Sequence, residues 1–200
     1  MRLLKADNVD ITEVLRTLQK GGIIIYPTET LYGIGVKYNN KKALNKVFEI
    51  KKRPPEKTFP LIVDLRHLEL VAEFIPAVAM KLIERYWPGP LTIVLPAKKS
   101  LSSRIKKNGK VAVRMPGESF AFKLIKASSF PITATSANIS GYPAADCMET
   151  VLKYFKDEDN IDLIIDGGKL PGKPSTIVDA TVEPPEILRQ GIIKLDLSFY

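Results

Sequence analysis

A single α/β domain, built on a twisted mixed β-sheet flanked by helices, is what this 200-residue sequence predicts. Three observations lead there. Segments with helical periodicity alternate with short apolar runs of strand length. No Gly/Ser tract or long Pro-rich linker divides the chain, and at 45% hydrophobic it can bury one substantial core. Clusters of hydroxyls and fixed cations sit where apolar strands end, which is where open α/β sheets take their ligands. We read residues 1–200 as one domain.

The elements follow in order. Ile11, Val14, Leu15 and Leu18 share one face of a helix over 10–20, which Gly21-Gly22 stops before the apolar strand at 23–26. A second helix over 40–51 turns Ala43, Leu44, Val47 and Phe48 inward, and Pro54-Pro55 separates it from a strand at 60–63. Helices over 67–74 and 76–86 precede strands at 91–95 and 111–115, with a tight-turn pair, Asn108-Gly109, between those strands. A helix over 118–128, a strand at 131–134, a helix over 146–155 and a strand at 163–165 lead to a glycine-rich loop. Strands at 176–178 and 186–188 complete the order.

Charge is concentrated. Residues 37–57 carry eight Lys/Arg against Glu49 and Glu56, and residues 98–110 carry six against no acid. Their combined +12 exceeds the formal +8 of the whole chain, so the rest is net acidic. A local positive field of this kind attracts phosphates, on a nucleotide or on RNA. Cys147 is the single cysteine, which rules out an intramolecular disulfide and makes a reducing cytoplasm the expected setting. The first dozen residues mix charges into the chain and read neither as a signal peptide nor as a membrane span.

Subtraction narrows the chemistry. With one histidine, His67, and one cysteine, a Cys/His zinc cluster is excluded. His67 follows Arg66 at the expected start of a helix and reads as an exposed surface residue rather than a triad base. No P-loop motif occurs, and Gly33-Ile34-Gly35 lacks the third glycine of a dinucleotide fingerprint.

Four strand-end clusters remain. Tyr26-Pro27-Thr28-Glu29-Thr30 reads as an ordinary turn or as a set of side-chain donors. In Lys51-Lys52-Arg53-Pro54, Pro54 disfavours helical geometry at Arg53, and in an extended chain Lys51 and Arg53 share a face. They are then a suitable pair for a triphosphate, the alternative being a solvated helix C-terminus. Residues 133–138, Thr133-Ala134-Thr135-Ser136-Ala137-Asn138, open a short strand into uncharged donors or form a capped turn. Residues 167–176 return from a flexible loop to strand at Ser175-Thr176, a pair of candidate donors or simply a hydroxyl-rich edge. Arg114 and Arg189 lie in or at the ends of apolar strands, where each needs an anion.

Taken together, these segments resemble the YrdC (TsaC) family of threonylcarbamoyl-AMP synthases in its short, single-domain form. The resemblance rests on YPTETLYGIG at 26–35, KKRPPEKTFPLIV at 51–63, WPGPLTIVL at 87–95, VAVRMP at 111–116, TSANISG at 135–141, PSTIVD at 174–179 and LRQG at 188–191. It implies a YrdC-like sheet with a large, open, basic cavity. It also implies an ATP site at Lys51, Arg53, Ser136, Asn138 and Arg189, and a threonine site at Thr28, Arg114, Thr133 and Ser175. The implied reaction takes L-threonine, bicarbonate or CO2, and ATP to threonylcarbamoyl-AMP and pyrophosphate, for modification of tRNA. Such chemistry asks mainly for positioning and charge neutralisation, so no general acid or base is assigned. Mg²⁺ would arrive with ATP, held by phosphates and water, since no compact carboxylate cluster offers a metal cage.

Other implied partners are tRNA or double-stranded RNA and downstream threonylcarbamoyl-transfer proteins, with no membrane partner. The sequence departs from many longer relatives at Asp64, where they carry a histidine, and in LRQG for their LRPG. A non-catalytic RNA-binding protein or paralogue of the same fold is the competing reading. The carbamoyltransferase domain of hydrogenase maturation is a third, but its usual zinc-finger and acylphosphatase-like companions are absent.

Overall fold

The computed structural model describes residues 1–196. Its elements are β1 (Arg2–Lys5), α1 (Ile11–Gln19), β2 (Ile24–Pro27), β3 (Tyr32–Gly35), α2 (Lys41–Ile50), β4 (Leu61–Ile62), a 3-10 turn (Leu65–His67), α3 (Leu68–Val71) and α4 (Ala77–Tyr86). There follow β5 (Leu91–Pro96), β6 (Lys110–Arg114), α5 (Phe120–Ala127), β7 (Ile132–Thr133), β8 (Thr135–Ser136), α6 (Met148–Phe155), β9 (Leu163–Asp166), β10 (Thr176–Asp179) and β11 (Glu186–Arg189). The helices start at side-chain caps where the sequence supplies them: Asp10 accepts from Thr12 N at 2.9 Å, Asn40 from Ala43 N at 3.0 Å and Ser119 from Phe122 N at 3.2 Å.

The strands form two mixed sheets instead of the one expected. Five strands pair in the order β1-β9-β2-β3-β8, and six in the order β11-β10-β5-β6-β4-β7. Three strands were not anticipated: β1, β3 and β8. In β3 the glycines lower strand propensity, yet the Tyr26 ring requires one of them. A Cβ at Gly35 would lie 2.7 Å from Tyr26 Cε1. The helix expected over 67–74 is shorter, because Ala72 is already extended and makes a bridge to Ala97.

The sheets are joined by consecutive short strands. β7 belongs to the six-stranded sheet and β8 to the five-stranded one, with Ala134 between them. Crossing from one sheet to the other in a single residue leaves backbone groups to be satisfied locally, and they are. Ala134 N donates to Pro60 O at 2.8 Å, Thr133 N to Val36 O at 3.0 Å, and the Tyr26 hydroxyl to Thr133 O at 2.8 Å.

His67 is buried, at 2% exposure, not on the surface as the sequence suggested. It belongs to a capping box: its Nδ1 accepts from Asp64 N at 3.1 Å, and its Nε2 faces Ser128 O at 3.1 Å. That pairing puts the ring proton on Nε2 and leaves the ring neutral. Burial holds its pKa below the ordinary 6.5. On acidification the unfolded chain takes up this proton first, so stability falls as pH drops through about 6.5. The expected outcome is a urea midpoint lower at pH 5.5 than at pH 7, with a difference that shrinks in His67→Gln.

Candidate functional site

One face of the six-stranded sheet covers the core and the other faces a cavity of about 420 Å³. The pairing sets this up. Val94 lies opposite Ala112 on antiparallel β5 and β6, so Thr92 and Arg114, two residues along each strand, project to the same side. Parallel β10 sets Ile177 beside Thr92, and β11 sets Arg189 beside Ile177. Alternate residues Leu91, Ile93, Leu95, Val111, Val113 and Val178 enter the core. The five-stranded sheet closes the opposite wall with Thr28 and Thr30 from the β2–β3 turn, Tyr32 and Gly33, and Thr135 and Ser136 of β8.

Three guanidiniums, Arg53, Arg114 and Arg189, line this space, and no carboxylate does among the described residues. Arg114 Nη1 lies 3.3 Å from Glu29 Oε1 and donates to Thr30 Oγ1 at 3.2 Å. Arg189 donates to Ser175 O at 3.1 and 2.8 Å and to Ser175 Oγ at 3.1 Å. Burial, then the charge of Arg114, lowers the pKa of Arg189. Arg53 donates to Thr58 O at 2.7 Å and lies over the Phe59 ring at 5.1 Å, and burial lowers its pKa too. Among the described residues, Glu29 is the one carboxylate paired with any of the three, so the wall carries an excess of positive charge, a setting that favours an anion.

The remaining expected residues separate into two groups. Thr28 and Ser175 line the cavity beside Ser136. The Thr28 hydroxyl is engaged in its own turn, donating to Leu31 O at 2.7 Å and accepting from Thr30 N and Leu31 N at 3.1 and 3.2 Å. Ser175 shares a 2.9 Å contact with Thr92. Thr133, Lys51 and Asn138 are not among the lining residues. Thr133 is fully buried, donates to Ile34 O at 3.2 Å and accepts from Val36 N at 3.0 Å.

Lys51 caps α2, and the chain beyond it is not extended. Lys52 takes a left-handed φ of 48°. Lys52 N bonds Glu49 O and Arg53 N bonds Phe48 O, both at 2.9 Å, a Schellman motif with lysine in place of the usual glycine. The reversal sends Arg53 to the cavity and Lys51 behind its wall. Asp64, where the resemblance led to the expectation of a histidine in longer relatives, ion-pairs with Lys126 at 2.9 Å and is not among the lining residues.

Sequence reasoning missed Thr58 and Thr92 as lining residues, and it included Thr30 and Thr135 in its donor clusters without giving them a role. Thr30 follows Thr28 by two, a signal that was available; Thr92 is marked only by strand pairing that composition does not encode. The fold also unites the two basic segments. Arg104 donates from Nε to Asn45 Oδ1 at 2.8 Å and lies over the Phe48 ring at 4.2 Å, holding the 98–110 loop against α2.

Two outcomes follow from this geometry. Arg114→Met strands the buried Glu29 charge and should cost about 3 kcal/mol in chemical unfolding, with much of the loss recovered in Arg114→Met/Glu29→Gln. A Cβ at Gly191 would lie 2.3 Å from Ser175 C and 2.4 Å from Pro174 O and Thr176 N. Gly191→Ala should therefore displace the segment carrying Arg189, cost about 2 kcal/mol and lower the thermal midpoint by several degrees.

Comparison with known proteins places this architecture. The Sua5/YciO/YrdC family model, described as "Telomere recombination", matches residues 16–191. The threonylcarbamoyl-AMP synthase of Pyrococcus abyssi is 42% identical over 185 residues, 90% of this chain and 53% of that protein. The crystal structure of P. abyssi Sua5 complexed with L-threonine superposes with a TM-score of 0.88 at 36% identity, covering 96% of this chain and 58% of that one. The crystal structure of Escherichia coli YciO gives 0.84 at 29% identity, covering 98% and 97%. The chain thus spans about half the length of the P. abyssi synthase and of the Bacillus subtilis one. With the family model covering nearly all of its elements, the chain belongs to the Sua5/YciO/YrdC family.

Proposed function

We propose that this chain forms L-threonylcarbamoyladenylate and pyrophosphate from L-threonine, bicarbonate or CO2, and ATP, in the cytoplasm and in the service of threonylcarbamoyl-adenosine at position 37 of tRNA. The observation that carries the reading is the cavity lined by three arginines and several hydroxyls, with no lining carboxylate among the described residues. An amino-acid carboxylate and a triphosphate are both anions, and each is met by such groups. The synthase names among its relatives support the same reading.

In this reading Arg114, with Thr28 and Thr30 beside it, receives the threonine carboxylate, and Ser175 closes that end. Arg53, Ser136 and Arg189 face the nucleotide, with Lys51 and Asn138 supporting Ser136. The threonine amine is carboxylated to a carbamate. A carbamate oxygen attacks the α-phosphorus of ATP, the bond to the β-phosphate oxygen breaks, and pyrophosphate leaves with the electron pair. The protein contributes orientation and fixed positive charge where negative charge is redistributed. Arginines and hydroxyls suit phosphate oxygens, so Mg²⁺ enters as Mg-ATP, held by phosphates and water. The product passes to threonylcarbamoyl-transfer proteins.

A second reading, an RNA-holding paralogue, would use the basic surface where Arg104 joins the 98–110 loop to α2. Contact there would be to backbone phosphates and salt-sensitive. Pyrophosphate release from Mg-ATP and bicarbonate, compared with L-threonine, with L-serine and with no amino acid, separates the two. Release that depends on threonine is the expected result; ATP binding without release under any condition would favour the paralogue. Arg53→Ala should weaken ATP binding by about tenfold or more while leaving the thermal midpoint near that of the parent.

A further inference from the structure

The Lys51 side chain is 1% exposed, an expensive place for an ammonium with no carboxylate beside it. Its three protons have three acceptors: Ser136 O at 2.5 Å, Asn138 O at 2.8 Å and Asn138 Oδ1 at 2.9 Å. Its own carbonyl accepts from Ser140 N at 2.8 Å. Asn138 extends the set, accepting from Ser136 Oγ at 2.7 Å and donating to Tyr142 O at 2.6 Å. One lysine therefore grips residues 136–140 by its side chain at one end and its main chain at the other. Of the residues it grips, Ser136 lines the cavity.

We propose that Lys51 is a positioning residue, which holds the 136–140 segment in its cavity-facing conformation from behind the wall and does not itself touch the nucleotide phosphates. The nature of the anion rests on the synthase reading; the grip on the segment does not.

Electrostatics adds a consequence. Burial, then the Arg53 guanidinium, pulls the Lys51 pKa down to about 7. The facing segment presents Ser136, Asn138, Ser140 and the exposed Tyr142, and no carboxylate. On α2, Glu49 is held outside by Lys46 at 3.2 Å. A neutral amine has two protons for three acceptors, so the grip loosens as pH rises through about 7. An anion on Arg53 offsets the Arg53 contribution, raises the Lys51 pKa and restores the third hydrogen bond. Anion binding and order in the segment are thereby coupled.

Hydrogen exchange on the ligand-free protein, followed by mass spectrometry, tests this. In Lys51→Met, exchange across 136–142 should rise about tenfold or more, with protection elsewhere unchanged. Unchanged exchange there, together with weakened Mg-ATP binding, would make Lys51 a direct phosphate ligand and overturn the proposal. If Lys51→Met does not fold, the wild-type chain decides. Protection of 136–142, corrected for intrinsic rates, should fall about fivefold from pH 6.5 to 8.5 and be restored by inorganic pyrophosphate. Protection indifferent to both pH and pyrophosphate would overturn it. No turnover is read in either arm, so absence of synthase activity leaves this test intact, and a negative result here leaves the synthase reading intact.

Discussion

The crossing at Ala134 is the constraint on which the rest of the molecule depends. One residue separates strands of two different sheets, and its neighbours carry the functional groups. Thr133 has no freedom left for a ligand, because its hydroxyl, amide and carbonyl are all engaged with β2, β3 and the segment just after β3. Ser136 emerges on the other side of the crossing, at the cavity. A buried backbone cannot make such a transfer with unpaired amides, which costs about as much as a lost hydrogen bond each. The residues around the crossing are therefore small and hydroxylated for structural reasons as well as for any chemistry beyond it.

Two kinds of buried cation are then distinguished by where their donors point. Lys51 directs all three protons at protein oxygens and stabilises a wall. Arg53 and Arg189 use part of their donor sets on main-chain carbonyls and leave positive charge facing the cavity. Arginine suits this double duty, since its planar fork can be anchored by one edge while another stays available. Among the described residues Glu29 pairs with Arg114, and no ion pair is seen for Arg53 or Arg189.

Periodicity located α1, α2, α4, α5 and α6 and most of the strands, because their core-facing residues repeat at the spacing of the element. It failed at β1, β3 and β8 for separate reasons. β1 is a short, largely exposed edge strand; β3 contains two glycines; β8 has only two residues and exists because β3 pairs with it. His67 failed for a local reason: its ring is consumed by a cap on Asp64, a bond that reads in the sequence as an unremarkable Asp-x-x-His.

Of the site, the arginines and the cavity hydroxyls Thr28, Ser136 and Ser175 were legible from residue type and from position at strand ends. The chemistry of a residue travels with it in the sequence, and so the cationic and hydroxyl character of these segments and the exclusion of a Cys/His zinc cluster and a P-loop motif were determined there. Which side of a wall a residue occupies was decided only by the tertiary structure. A single left-handed residue, Lys52, sends neighbours two positions apart to opposite sides, and a one-residue sheet crossing does the same for Thr133 and Ser136. Direction is a property of backbone dihedrals and strand pairing, which depend on contacts between segments far apart in the chain.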